Sequence, residues 1–347
     1  FNSKLLGVKS VAILPAGMSR ERFQWLEQIA GEVIATPGCE SNVKEIFDKT
    51  HELSQLPDCM IFNQFEEMGN HLWHYQVTGS AVAEVFEAVK RPGDRFAGAC
   101  FTSGSAGTIG CGDYLKEVYP TLKLAVGEAL QCPTILENGF GDHRIEGIGD
   151  KHIPWIHNVK NTDLVIDIDD EDSQRLLRLF NDPAGLDYLR TCGVDEATLA
   201  QLSLLGISGI ANVLCCVKLA KYYELTEHDV VATVLTDSAA MYQSRITELT
   251  SQLEQLNYAY RSSSSIADQA ALDSEIVSDL TAFSRYVSRR DMNSIADLSP
   301  ELKGLVLRRS SDESATTVIA AQITATQNEL ESLRSEAEQD TRTVAAP

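Results

Sequence analysis

Between residues 8 and 236, short apolar runs alternate with stretches whose apolar positions recur every three or four residues. The runs VKSVAIL (8–14), EVIAT (32–36), DCMIF (58–62), FAGACF (96–101), KLAVGEA (123–129), DLVIDI (163–168) and HDVVATVLT (228–236) predict strands. MSRERFQWLEQIAG (18–31), ESNVKEIFDKTHEL (40–53), SAVAEVFEAVK (80–90) and GIANVLCCVKLAKYY (209–223) predict helices, with Ser41 or Asn42 expected to cap the second. YLKEVYP ends a further helix. Strands alternating with helices predict an α/β fold, its parallel sheet covered on both faces.

From Ile246 the texture changes. Ile246, Leu249, Leu253 and Leu256 make an apolar stripe too short for a coiled coil, and RSSSSIADQ interrupts it. Polar helices with few aromatics are expected to follow, then a disordered tail, EQDTRTVAAP. The pattern reads as a helical extension of the α/β body.

At 347 residues the chain can bury a large core, and two domains are expected. Its net charge of −21 argues against nucleic acid or an anionic membrane as the main partner. A small anion held by local backbone groups remains compatible with it. No stretch is apolar enough to span a bilayer. The eight cysteines include no CxxC pair, so reduced thiols and a cytoplasmic setting are expected. Residue 1 is Phe rather than Met, which suits a processed, trimmed or partial chain.

The most informative stretch is FTSGSAGTIGCGDYLKE (101–117), a small-residue loop between a predicted strand and a helix. A helix N-terminus presents unpaired amides and partial positive charge, and glycines let a ligand come close. Ser105 and Thr108 add hydroxyls, giving the ingredients of a phosphate cradle. The loop lacks the lysine of a Walker loop and the GxGxxG of a dinucleotide fingerprint, so it suits a single phosphate. A plain strand-to-helix turn carries equal weight on this stretch alone. His71 and His74 fit one helical face, but without a third ligand motif they do not predict a metal site. Trp25, Trp73 and Trp155 read as core or interface residues.

Further stretches add a resemblance. Gly104-Ser105-Ala106-Gly107-Thr108 followed by GDYLKE resembles the Gly-Thr-Gly-Gly-Thr loop and helix of pyridoxal-phosphate enzymes of the cysteine synthase and cystathionine β-synthase family. VAILPAGMSRERFQWLEQIAGEVIAT (11–36), NQFEEMGNHLWHYQVTG (63–79), HRIEGIGDKHIP (143–154), LLGISGIAN (204–212) and VLTDSAAMY (234–242) resemble further family segments in the family's order. The resemblance runs from residue 8 to about 245. It implies fold type II, like the tryptophan synthase β chain: two parallel-sheet α/β domains, here with a helical C-terminal extension. Residues 1–62 would belong to the smaller domain, 63–245 to the larger, cofactor-binding one, and 246–347 to the extension.

The resemblance also implies roles. Gly104, Ser105, Ala106, Gly107 and Thr108 would bind the phosphate of pyridoxal 5′-phosphate, Gly206 would line the pocket, and Ser238 would meet the pyridine nitrogen. A neutral hydroxyl there leaves the cofactor a weaker electron sink, which suits elimination and addition at Cβ. If Asp237 faced the ring instead, that reasoning would reverse. Gln64 and Gly147 would bind the substrate, with Ile148 and Gly149 beside them; His143 matches a family position but receives no proton-transfer role. The implied reaction is β-elimination or β-replacement on a serine- or cysteine-like amino acid, in a homodimer. Gly149 and Gly206 also fit as plain turn glycines, and Ser238 as a helix cap.

Two departures qualify this. The family's catalytic lysine lies in S-x-K-D-R, ahead of the strand matching residues 8–14, and its T-S-G-N-T-G substrate loop follows; neither motif occurs here. The catalytic residue of the given chain is therefore unknown. A longer enzyme, a complementing N-terminal chain, or a lysine-less binding or regulatory subunit would each account for that. A smaller domain lacking that segment would expose apolar faces and sheet edges, and the chain alone would tend to aggregate. Residues 170–205 are also longer than the family's connection, by roughly a helix and a loop, and lead into the turn at Gly206.

Overall fold

A computed structural model describes the backbone of residues 2–262 and the side chains as far as Gln252. The described residues as far as Thr250 form one compact unit. After a one-turn helix at Asn2–Leu5, β1 (Val11–Pro15) leads through α1 (Arg20–Ile29) to β2 (Glu32–Thr36). β1 and β2 pair in parallel, Val11 opposite Glu32 and Pro15 opposite Thr36. α2 (Val43–Ser54) packs against β1. These elements form a small lobe.

The strand expected at 58–62 does not form. Met60 and Phe62 are 76% and 85% exposed, and among the described residues no strand pairs with them. Asn42 does stand at the N-cap of α2. Its side chain instead accepts from the Cys39 amide at 3.1 Å and donates to Glu45 at 3.3 Å.

α3 (Met68–Trp73) passes through a π-helical turn, His74–Thr78, into α4 (Gly79–Val89). Then come β3 (Arg95–Thr102), α5 (Ile109–Val118), β4 (Lys123–Ala129) and β5 (Leu164–Ile168). α6 (Asp170–Leu179), α7 (Pro183–Thr191), α8 (Ile207–Tyr222), β6 (Asp229–Ala232) and α9 (Gln243–Ser262) complete the described chain. The second sheet is parallel throughout, in the order β5-β4-β3-β6.

The nearly continuous apolar character of β3 and β4 follows from burial on both faces. Phe86 of α4 and Ile109 and Leu115 of α5 pack with Phe96, Phe101 and Leu124 on one side. α8 covers the other side with Leu219 and Cys215, both fully buried.

The stretch 170–205 contains more helix than its sequence suggests. Asp169 caps α6 by accepting from the Glu171 amide, and Asp182 caps α7 with Pro183 in its first turn. Asp195 caps a further turn at 196–199. The acidic run DIDDED masks α6, because three of its charges serve the helix start rather than a solvated loop. Of the stripe on α9, Leu253 and Leu256 lie beyond the described side chains, as do the later helices and tail beyond the described residues.

Candidate functional site

β3 and β6 run together only as far as Ala99 and Ala232. Beyond that the strands part, and two side chains bridge the gap. Thr233 Oγ1 donates to the Cys100 carbonyl at 2.7 Å. Asn212, near the start of α8, accepts from the Thr102 amide and donates to the Val234 carbonyl, both at 2.9 Å. The parting opens a cleft at the carboxyl ends of the strands, where ligands of open α/β sheets bind.

The cleft measures about 150 Å³. One wall is the loop Gly104–Thr108 that leads into α5; Thr102, Ser208, Asn212, Val234 and Thr236 form the floor and far side. His74 and Gly147 close the rim. Burial lowers the His74 pKa, and its Nδ1 pairs with Thr78 Oγ1 at 2.9 Å. His74 is therefore neutral at pH 7.

The loop has the form of an anion nest. The amides of Ile109, Gly110 and Cys111 turn back onto the carbonyls of Ala106, Gly107 and Thr108. Among the described residues, the amides of residues 104–108 have no protein acceptor. Five adjacent unpaired donors at a helix start, lining a cleft, form a site for an anion.

The loop's shape follows from contacts that exclude side chains. A Cβ on Gly107 would strike the Asn70 side-chain amide, which donates to Ser105 Oγ at 3.2 Å. A Cβ on Gly104 would sit 2.8 Å from the Gly147 carbonyl oxygen. Ala106 has φ +64°, the left-handed region that glycine enters at no cost.

The opposing wall is the turn at 143–149. Gly149, at φ +76°, donates its amide to the Ser103 carbonyl at 2.7 Å, and His143 Nε2 lies 3.1 Å from the Gly149 carbonyl. Gly147, at φ +94°, faces Ser208.

The remaining residues singled out from the sequence lie around the cleft, not in its lining. Gln64 is exposed, and its carbonyl accepts from Asn70 Nδ2, so it connects to the loop through Asn70. Gly206 precedes α8, donates to the Asp237 carbonyl at 3.0 Å, and has no room for a side chain against Asp237. Ser238 stands ahead of the turn at 239–242 without capping it through its side chain. Asp237 turns from the cleft: Arg22 lies 3.1 Å and the Tyr242 hydroxyl 2.5 Å from its carboxylate.

Sequence reasoning passed over Thr102, Ser208, Asn212, Val234 and Thr236. Their signal was positional, at strand carboxyl ends and on one face of the first turns of α8. A larger depression, 450 Å³, lies beside α5 among His71, Asp113, Lys116 and Asn161. Its groups largely answer one another: Asn158 and Asn161 donate to Asp113, and Lys116 pairs with Asp163 at 2.7 Å. Among the described residues no cluster of His, Cys, Asp and Glu could hold a metal ion.

No family model matches the chain. It is 32% identical over 179 residues to a probable cysteine synthase of Bacillus subtilis, covering 51% of this chain and 56% of that one. It is 27% identical over 258 residues to cysteine synthase 3 of Caenorhabditis elegans, covering 74% and 70%. The chain thus spans little more than half the length of the first relative. Among solved structures, a hydrogen sulfide-producing enzyme of Fusobacterium nucleatum superposes with a TM-score of 0.58 at 25% identity, covering 70% of this chain and 67% of that one. The O-acetylserine-dependent cystathionine β-synthase of Helicobacter pylori gives 0.56 at 25% identity, covering 70% and 71%. The fold is that of the fold-type-II pyridoxal-phosphate enzymes. In the type-II fold described here, the 104–108 nest and the parting of β3 from β6 make one cleft.

Proposed function

We propose that this chain binds pyridoxal 5′-phosphate by its phosphate at residues 104–108 and serves β-elimination or β-replacement on a serine- or cysteine-like amino acid. The five unpaired amides of the nest carry the reading. They match a phosphate in charge and number, and the small residues admit it at contact distance. Ser105 and Thr108 add hydroxyl donors. The sequence likeness to cysteine synthases supports the substrate class.

When bound, the cofactor supplies an electron sink for bonds at the amino acid's α-carbon. This chain's residues orient it and exclude water. The nest fixes the phosphate end, Gly147 and Ser208 narrow the cleft opposite, and His74 stands at the rim. Asp237 is engaged by Arg22 and Tyr242 through one carboxylate oxygen, and Ser238, beside the lining rather than in it, is the hydroxyl assigned to the pyridine nitrogen. Gln64, tied to the nest through Asn70, is assigned to the substrate carboxylate.

Among the described residues no lysine lines the cleft. The lysine the family uses is therefore assigned to a complementing segment or chain. Exposed Trp73 and Trp155 support a homodimer. Eight unpaired thiols support a reducing, cytoplasmic compartment.

Titration of the full chain with pyridoxal 5′-phosphate, read by absorbance and tryptophan fluorescence, tests the reading. Saturable binding is expected, competed by inorganic phosphate and weakened at least tenfold in the double variant S105A/T108A. Absence of saturable binding, or binding indifferent to phosphate, overturns it.

A further inference from the structure

The wall opposite the nest is held from the small lobe. The Gly147 amide donates to Glu40 Oε1 at 2.7 Å, across more than a hundred residues of sequence. Glu40 stands in the loop between β2 and α2, where the sequence pattern predicts the helix to begin. Its other oxygen, Oε2, is buried and has no hydrogen-bond partner among the described residues. A buried unpaired carboxyl oxygen is costly for stability alone. Beside it, Ser41 Oγ donates to the Gly141 carbonyl at 2.8 Å, so this loop grips the 141–147 segment twice.

We propose that Glu40 is a positioning residue: its carboxyl, by accepting from the Gly147 amide, holds the Gly147 turn against the phosphate nest. The proposal rests on the reading of this cleft as the cofactor site.

The charged groups facing Glu40 are Glu146 on the turn itself, Arg22 on α1 and Arg245 on α9. Both arginines are engaged by Glu146, at 3.4 and 3.3 Å. Burial pushes the Glu40 carboxyl up to about 7, with Glu146 adding to it; the Gly147 amide and the arginines oppose the rise. If the turn opens, the carboxyl meets water and regains its ordinary value of 4.5. The held state then binds a proton that the open state does not. Between those values the held state loses up to about tenfold in population ratio per pH unit, and above 7 nothing further is lost.

The experiment measures amide-exchange protection of residues 143–150 in the full chain, corrected for intrinsic exchange, together with pyridoxal 5′-phosphate affinity at pH 5.5 and 7.5. Wild type is expected to lose at least tenfold protection between these pH values, with affinity falling in parallel. Glu40→Gln keeps a neutral acceptor at the same place and should hold protection at both. Glu40→Ala should be unprotected at both. Wild-type protection in E40A, or an undiminished pH dependence in E40Q, would falsify the proposal. If wild type fails to bind the cofactor, the cofactor reading fails on its own, while the exchange data still decide whether Glu40 holds the turn.

Discussion

Ala106 shows how much of the site single residues decide. At φ +64° it carries a backbone strain of about 1 kcal/mol or somewhat more. The family-like loop has glycine there, and the sequence could not show that the left-handed geometry persists with a methyl group. That methyl is accepted because it is 2% exposed, inside the core with Ile109. Burial also sets the acid limit of the fold. His157 is buried, with Nε2 3.1 Å from Thr162 Oγ1 and Nδ1 without a partner among the described residues. Burial lowers its pKa to about 4, from an ordinary 6.5. The unfolded chain therefore binds a proton that the folded one refuses, so stability falls as pH drops from 6.5 to 4. The full effect is at most about 3 kcal/mol. Glu40 acts in the opposite sense over an overlapping range, losing stability as pH rises from 4.5 to 7. Melting curves from pH 4 to 7 should thus be flatter at the acid end for His157→Gln than for wild type. An unchanged acid limb would show that His157 is already charged in the fold.

Element by element, the predicted strands 32–36 and 123–129 and the helices around 80–90 and 209–223 form within a few residues of their expected limits. Their signals are local: β-branched and small residues buried on both faces, or apolar residues at helical spacing. The ends of β6 and the segment 58–62 were not legible, because strand existence depends on a neighbour that sequence does not display. VVATVLT has strong strand character, yet β6 stops at Ala232. From there Asn212 takes over the pairing that a ladder would supply. This makes Asn212 the residue on which the cleft's opening depends. Asn212→Ala would leave the part-buried Thr102 amide and Val234 carbonyl without protein partners at the cleft floor. The expected loss is about 1–2 kcal/mol, or roughly 2–8 °C in melting temperature for a unit of this size. Faster amide exchange should be confined at first to residues 232–236 and 102–104. A neutral substitution would mean that the strands close the gap themselves.

On the scale of the whole molecule, apolar surface and charge oppose each other. β1 and β2 form a sheet of two strands, and among the described residues neither outer edge is paired. A parallel pair of this size is marginal unless its edges and faces are covered. Leu5, Leu6, Val8, Met60 and Phe62 of the small lobe are exposed, as are Trp73 and Trp155 of the large one. So much open apolar surface favours contact with other chains. The net charge of −21 works against that contact between copies. Which effect wins depends on salt, because the screening length falls from about 30 Å at 0.01 M to about 3 Å at 1 M. Burial of apolar surface is hardly weakened over that range, whereas repulsion is largely removed. The mean mass of the full chain in sedimentation or light scattering should therefore rise with both protein concentration and salt. A mass that falls as salt is added would show that ion pairs, not the exposed apolar faces, bring the copies together.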